Sequence, residues 1–327
     1  MKTDMATVES DSPWVTFVDE SGTFTWKPES DAAKHLLASV AVAASVSVPS
    51  GSPATTLNGA VDALLRKHRL KVGTKGSKFS DDALDEFLDV ISKCGAVPFV
   101  CFCSLNATGF WKSISSKIEA FNSAPKSAGG VLASWPARGA TAESYLWTQL
   151  VSLAAAAPYL LLGLRQVEVH DVSVFVDDTT TPQELKAVGT RSVTRQISSG
   201  IDEFVRASGT PASNSRAVDR KVSVSFGNRP VPSRLGAMTA DILASIAVRG
   251  LDSFRLDETG RKRMDRLVRR CGGSVRLDAT RRIAAIDPDS AGVLERFGIS
   301  TDGMIVRPVP KLVNFVRARA AANGQPR

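Results

Sequence analysis

The spacing of five β-patterned segments is the strongest constraint on what this chain can fold into. WVTFVDESG at 14–22 alternates apolar and polar side chains and ends in a glycine turn. LLASVAVAASVSV at 36–48 is a valine-rich run with small partners that stops at Pro49, as a buried strand does. VPFVCFCSL at 97–105 has the β-branched and aromatic content of a central strand, VEVHDVSVFVDD at 167–178 alternates and ends in two aspartates, and RKVSVSF at 220–226 alternates again.

Helical spacing fills the intervals: 57–70, a stretch opened by Ser80 as N-cap before DDALDEFLDVIS, about 110–122, 141–163, a helix from Pro182 towards Ser208, and 238–250 capped by Gly250. The succession of strands and helices is that of a ribonuclease H-like core. The expected fold is therefore α/β, a ribonuclease H-like mixed sheet flanked by helices over 13–250. A flexible leader at 1–12 precedes it and a small basic α+β appendage at 251–327 follows. The appendage reads as a helix at about 255–271, a short hairpin and another small helix.

Composition narrows the functional class. With 43% hydrophobic and 23% charged residues the chain buries a large core and is not disordered. Its longest apolar runs, Leu36 to Pro49 and Leu153 to Leu164, fall short of the roughly 20 residues of a membrane span. The mixed-charge start MKTDMATVESDSP does not resemble a secretory signal, so a cytoplasmic location without membrane is expected. Four cysteines make no disulfide framework, and three histidines show no zinc spacing with them. Cys101 and Cys103 alternate and share a face. From Arg249 onward there are 17 Lys+Arg against 9 Asp+Glu, which leaves 24 against 24 before it, so the net charge of +8 is C-terminal. Such an excess suits nucleic acid, DNA or RNA, through counterion release, or is a solvated helix face. A homo-oligomer or a protein partner is compatible with the same sequence.

The carboxylates carry the chemical argument. Asp19 and Glu20 end strand one, Asp177 and Asp178 end strand four, and Asp241 lies among Met238, Ile242 and Leu243 in an apolar helix. On a strand Asp19 shares a face with Val15 and Phe17 while Glu20 points the other way, and Asp177 shares a face with Phe175. Carboxylates converging from separate elements suit Mg²⁺ or Mn²⁺ and phosphodiester hydrolysis, with Asp19, Asp177 and Asp241 as ligands. Each also has a plainer reading: Asp19-Glu20-Ser21-Gly22 as a turn, Asp177-Asp178 as a helix entry, Asp241 as the partner of an arginine. Glu143, between strands three and four, is a further candidate or an ordinary first-turn acid. Lys75 and Lys78 in the loop GTKGSKFS would contact phosphate or sit in solvent. Arg261, Arg263, Arg266, Arg269 and Arg270 surround one helical apolar stripe and suit backbone contacts, Arg263, Arg266 and Arg270 above all.

At FVDESGTF (17–24), GTKGSK (73–78), VFVDD (174–178) and MTADILASIAVRG (238–250) the sequence resembles the bacterial domain-of-unknown-function family 3800, over roughly 14–250. That family's last motif carries a glutamine before Ala-Asp; here Gly236 to Thr239 stand in its region and Asp241 keeps its place. The resemblance implies a ribonuclease H-like fold and a metal-dependent nuclease, with Asp19, Glu20, Asp177 and Asp241 catalytic and Lys75 matching the family's lysine.

Overall fold

A computed structural model describes residues 13–22, 24, 40–104, 115–116, 118–119, 141–164, 169, 171–177, 190–207, 221–227, 234–253, 258, 262, 283–285 and 305–306. The five longer strands are β1 (Trp14–Gly22), β2 (Val40–Pro49), β3 (Val97–Ser104), β4 (Asp171–Val176) and β5 (Lys221–Phe226). Two short strands, β6 (Ile283–Ala285) and β7 (Ile305–Val306), complete one mixed sheet in the order β5-β4-β1-β2-β3-β6-β7. β2 runs antiparallel to both β1 and β3, whereas β4 lies parallel to β1 and β5 parallel to β4.

Helices cover both faces, as a sheet with parallel strands requires. α1 (Ser52–Lys67), α2 (Asp81–Lys93) and α5 (Arg234–Ser253) bury Val42, Val46, Phe17 and Phe102 on one side. α3 (Ala142–Leu164) and α4 (Thr190–Ala207) bury Val18, Ala43, Phe99 and Val174 on the other. Every strand residue from Ala41 to Val48 is buried, which is why that run shows valine and small residues without polar alternation.

α3 is apolar nearly all round, and Ala154 to Ala157 are wholly inaccessible to solvent. Pro158 stands inside it and supplies no N–H to the carbonyl of Ala154 four residues back. The Ser45 hydroxyl donates to that carbonyl at 2.5 Å. Thr16, Ser47 and Tyr159 share hydroxyl hydrogen bonds of 2.7 and 2.8 Å between β1, β2 and α3, so these three buried hydroxyls satisfy one another.

Three details differ from the expected pattern. α5 starts at Arg234 and runs through Gly250 to Ser253, so Gly250 is not its cap. A glycine costs a helix only about 1 kcal/mol against alanine, less than the buried turn Ser245–Ala247 before it contributes. β6 and β7 run parallel and are not the arms of a hairpin; β6 pairs with β3, joining residues beyond 250 to the same sheet. The leader, the start of the Pro182 helix and most of the 255–271 helix lie outside the described residues. Among the described residues no helix is long and apolar enough to cross a membrane.

Candidate active site

The site is built at the ends of β1 and β4, on the face covered by α5. Phe17 pairs with Phe175 across the parallel register, and their rings stack with centroids 5.9 Å apart. Two residues on, the same face carries Asp19 and Asp177. The Asp177 N–H donates to the Val18 carbonyl at 3.0 Å, which fixes the two aspartates beside each other. Gly22 then ends β1 with φ +93°, and a side chain there would collide with the Val40 carbonyl. The glycine of the DESG sequence is thereby accounted for by the backbone alone.

α5 brings the third carboxylate. Gly236 lets the helix settle on the Phe17 ring, where any Cβ would clash. Asp241 follows on the buried side, its side chain 13% exposed. Opposite it, the loop after α1 docks onto the same helix. A short 3-10 turn, Gly76–Lys78, is anchored by the Gly76 N–H donating to the Ser245 hydroxyl at 2.7 Å. The Gly73 N–H reaches the Met238 sulfur at 3.2 Å. A Cβ on Gly76 would strike the Ile242 carbonyl and Ile246, so only glycine permits this approach. The docking delivers the Lys75 ammonium to the Asp241 carboxylate.

The electrostatics follow from that packing. Asp19 is 7% exposed, and one of its carboxylate oxygens accepts the Glu20 N–H at 2.8 Å. Burial, then the charges of Glu20, Asp241 and Asp177, push its carboxyl up to about 9, against the small opposing effect of that N–H. Burial works to lower Lys75, but the hydrogen bond to Asp241 and the charges of Asp241, Asp19 and Asp177 together raise it. Lys75 therefore remains an ammonium among acids.

Asp19, Asp177, Asp241 and Lys75 thus lie within electrostatic reach of one another on one face. Glu20 follows on the opposite face, the side of Trp14 and Val18, as its place in the alternation requires. Glu143 opens α3 on that opposite side too. Lys78 is exposed on the docked turn. Asp178, Arg263, Arg266 and Arg270 lie outside the described residues. Asp241 takes Lys75 as its partner, where an arginine was the structural alternative. Ser245, which orients the loop, escaped the sequence reading; the signal was a lone serine one helical turn after Asp241 on an apolar face.

Three carboxylates are a suitable donor set for Mg²⁺ or Mn²⁺, and the burial and, after it, the repulsion that raise Asp19 are what such an ion would offset. Among the described residues, however, no three His, Cys, Asp or Glu side chains stand close enough to hold a metal ion as they are. Lys75 supplies the counter-charge at Asp241 instead. No family model, curated protein or solved structure matches the chain.

Proposed function

We propose that this chain is a divalent-metal-dependent nuclease that hydrolyses nucleic-acid phosphodiester bonds on a ribonuclease H-like sheet, akin to the domain-of-unknown-function family 3800. The sheet reading is supported by the antiparallel β1, β2 and β3, with β4 and β5 parallel on the far side of β1. The observation that carries the activity is the buried Asp19, held beside Asp177 and Asp241 from two other elements and pushed up by its burial first and then by the charges of Glu20, Asp241 and Asp177. A protein keeps such mutually repelling acids together at a cost in stability, and functional sites are where that cost is retained.

In this reading Asp19, Asp177 and Asp241 hold Mg²⁺ or Mn²⁺, which when bound supplies charge neutralisation and an activated water for attack on phosphorus. The chain's own parts orient the reactants. The β1–β4 register sets the spacing of two aspartates, α5 closes the site from above, and Lys75 carries positive charge towards a phosphate oxygen. Glu20 assists only through its charge on Asp19 from the opposite face, and the C-terminal arginines grip the backbone.

Cleavage of mixed DNA and RNA by wild type and Asp19→Asn, with Mg²⁺, Mn²⁺ or chelator, tests the proposal. Metal-dependent cutting that the substitution abolishes is the expected result. The Lys75–Asp241 ion pair favours a second reading, a non-catalytic nucleic-acid-binding module in which lysine has taken the place of the ion. Salt-sensitive binding in both proteins, with no cutting in either, selects that reading.

A further inference from the structure

We propose that the segment from Arg69 to Lys78 is the surface on which the sugar-phosphate backbone of nucleic acid docks, leading it to the carboxylates of Asp19 and Asp241. The inference rests on the reading that this chain acts on nucleic acid, and adds where the polymer lies. Between Arg66 and Lys78 the sequence holds six Lys and Arg and no Asp or Glu. This concentration is separate from the C-terminal excess and is hidden in the neutral balance of residues 1–248.

Neighbours neutralise half of it. Arg66 pairs with Asp62, Lys67 with Glu86 and Lys75 with Asp241. Arg69, Lys71 and Lys78 are exposed and have no acidic partner among the described residues. They stand on a braced loop. The Thr74 N–H donates to the Lys71 carbonyl at 3.0 Å, the Lys71 N–H to the Thr74 hydroxyl at 3.1 Å, and Gly76 is fixed to Ser245. Cations presented on fixed backbone lose less freedom on binding than cations on a floppy loop.

Arg69 adds an independent sign. It ends α1 in the left-handed region, φ 53°, with the Leu70 N–H returning to the Leu65 carbonyl at 2.7 Å. Glycine is the ordinary residue at this position of a helix end, and an arginine there strains the backbone. The chain keeps a cation where a glycine would fit better, and that cation faces solvent six residues before Lys75, which pairs with Asp241. A membrane is the poorer occupant, since Val72 is the sole large apolar side chain exposed among the described residues. The acidic start of α2 at Asp81 and Asp82 bounds the surface, so the contact is short.

Fluorescence anisotropy in chelator, with labelled single- and double-stranded DNA and RNA, tests this without cleavage. Arg69→Gln/Lys71→Gln/Lys78→Gln is expected to bind about tenfold weaker or worse, with a log–log salt slope shallower by about 2 to 3. Arg69→Gly is expected to melt at a higher temperature than wild type yet bind severalfold weaker, a pairing that a merely structural arginine would not give. Wild-type affinity and slope in the triple variant overturn the inference alone. A folded wild type that binds no nucleic acid overturns the functional reading beneath it. Transfer of the same residue dependence to phosphatidylserine vesicles or polyglutamate, without nucleic-acid binding, overturns the assigned partner.

Discussion

Lys75 and Asp241, 166 residues apart in sequence, meet as an ion pair whose lysine end is 59% exposed and whose aspartate end is nearly buried. The ammonium faces the acids from the solvent side, where an incoming cation or phosphate would first arrive. Lys75→Met is expected to lower stability in chelator by roughly 0.5–1 kcal/mol, the discounted value of a half-exposed pair. Mn²⁺ should then raise the melting temperature of the variant more than that of wild type, because Asp241 no longer has a competing partner. Equal Mn²⁺ responses would separate the lysine from cation binding.

Asp19 links the site to pH. In the folded protein its carboxyl is pushed up to about 9 from the ordinary 3.8, so folding takes up a proton through that interval. Wild-type stability contributed by this group is complete below pH 4 and falls as pH rises towards 9. Asp19→Asn carries no such proton, so its advantage over wild type should grow between pH 5 and 8 and reach about 2 kcal/mol or more. Urea unfolding of both proteins across that range measures it. A constant difference would place the titration of Asp19 outside the window.

Gly22→Ala probes whether the DESG glycine is structural. The positive φ and the collision with the Val40 carbonyl act together, and a loss of about 3 kcal/mol or more is expected in urea unfolding. Gly76→Ala should cost roughly 1–3 kcal/mol and also detach Lys75 from Asp241, since Ile242 and Ile246 leave no space for the methyl. A Gly22→Ala protein as stable as wild type would return the motif to a purely chemical explanation.

Ser45 and Pro158 should be coupled. Ser45→Ala strips the Ala154 carbonyl of its donor in a dry interface, at about 1–3 kcal/mol. Pro158→Ala restores an N–H four residues on, so the double variant should be less damaged than the sum of the two single ones. Strict additivity in a denaturation cycle would show that the serine hydroxyl and the proline do not act on the same carbonyl.

β1, β4 and β5 were legible from a two-residue period and the doubly buried β2 and β3 from valine, small and aromatic content, and the period placed Asp19 with Phe17 and Asp177 with Phe175 on one face. What brings Asp241 to that face was not legible. It depends on Gly236 lying against an aromatic ring and on Gly76 lying against a helix, contacts between residues with no side chain to form a pattern. The partner of Asp241 was hidden for a related reason, since a loop docked through backbone hydrogen bonds selects Lys75 over any arginine. Arg69 was invisible because a helix end with glycine announces itself and one with arginine does not.

The parallel pairing of β1 with β4 has a consequence for biosynthesis. Asp19 and Lys75 leave the ribosome long before Asp241, which follows more than two hundred residues after Asp19. At about 5–20 residues per second the wait is on the order of 10–40 s. Throughout it Asp19 lacks the helix that covers it, and for most of it β4 as well, whereas β2 is available soon after β1. The third acid joins the other two only when α5 packs on the sheet, so a chain interrupted before α5 lacks Asp241 and leaves Lys75 without its partner.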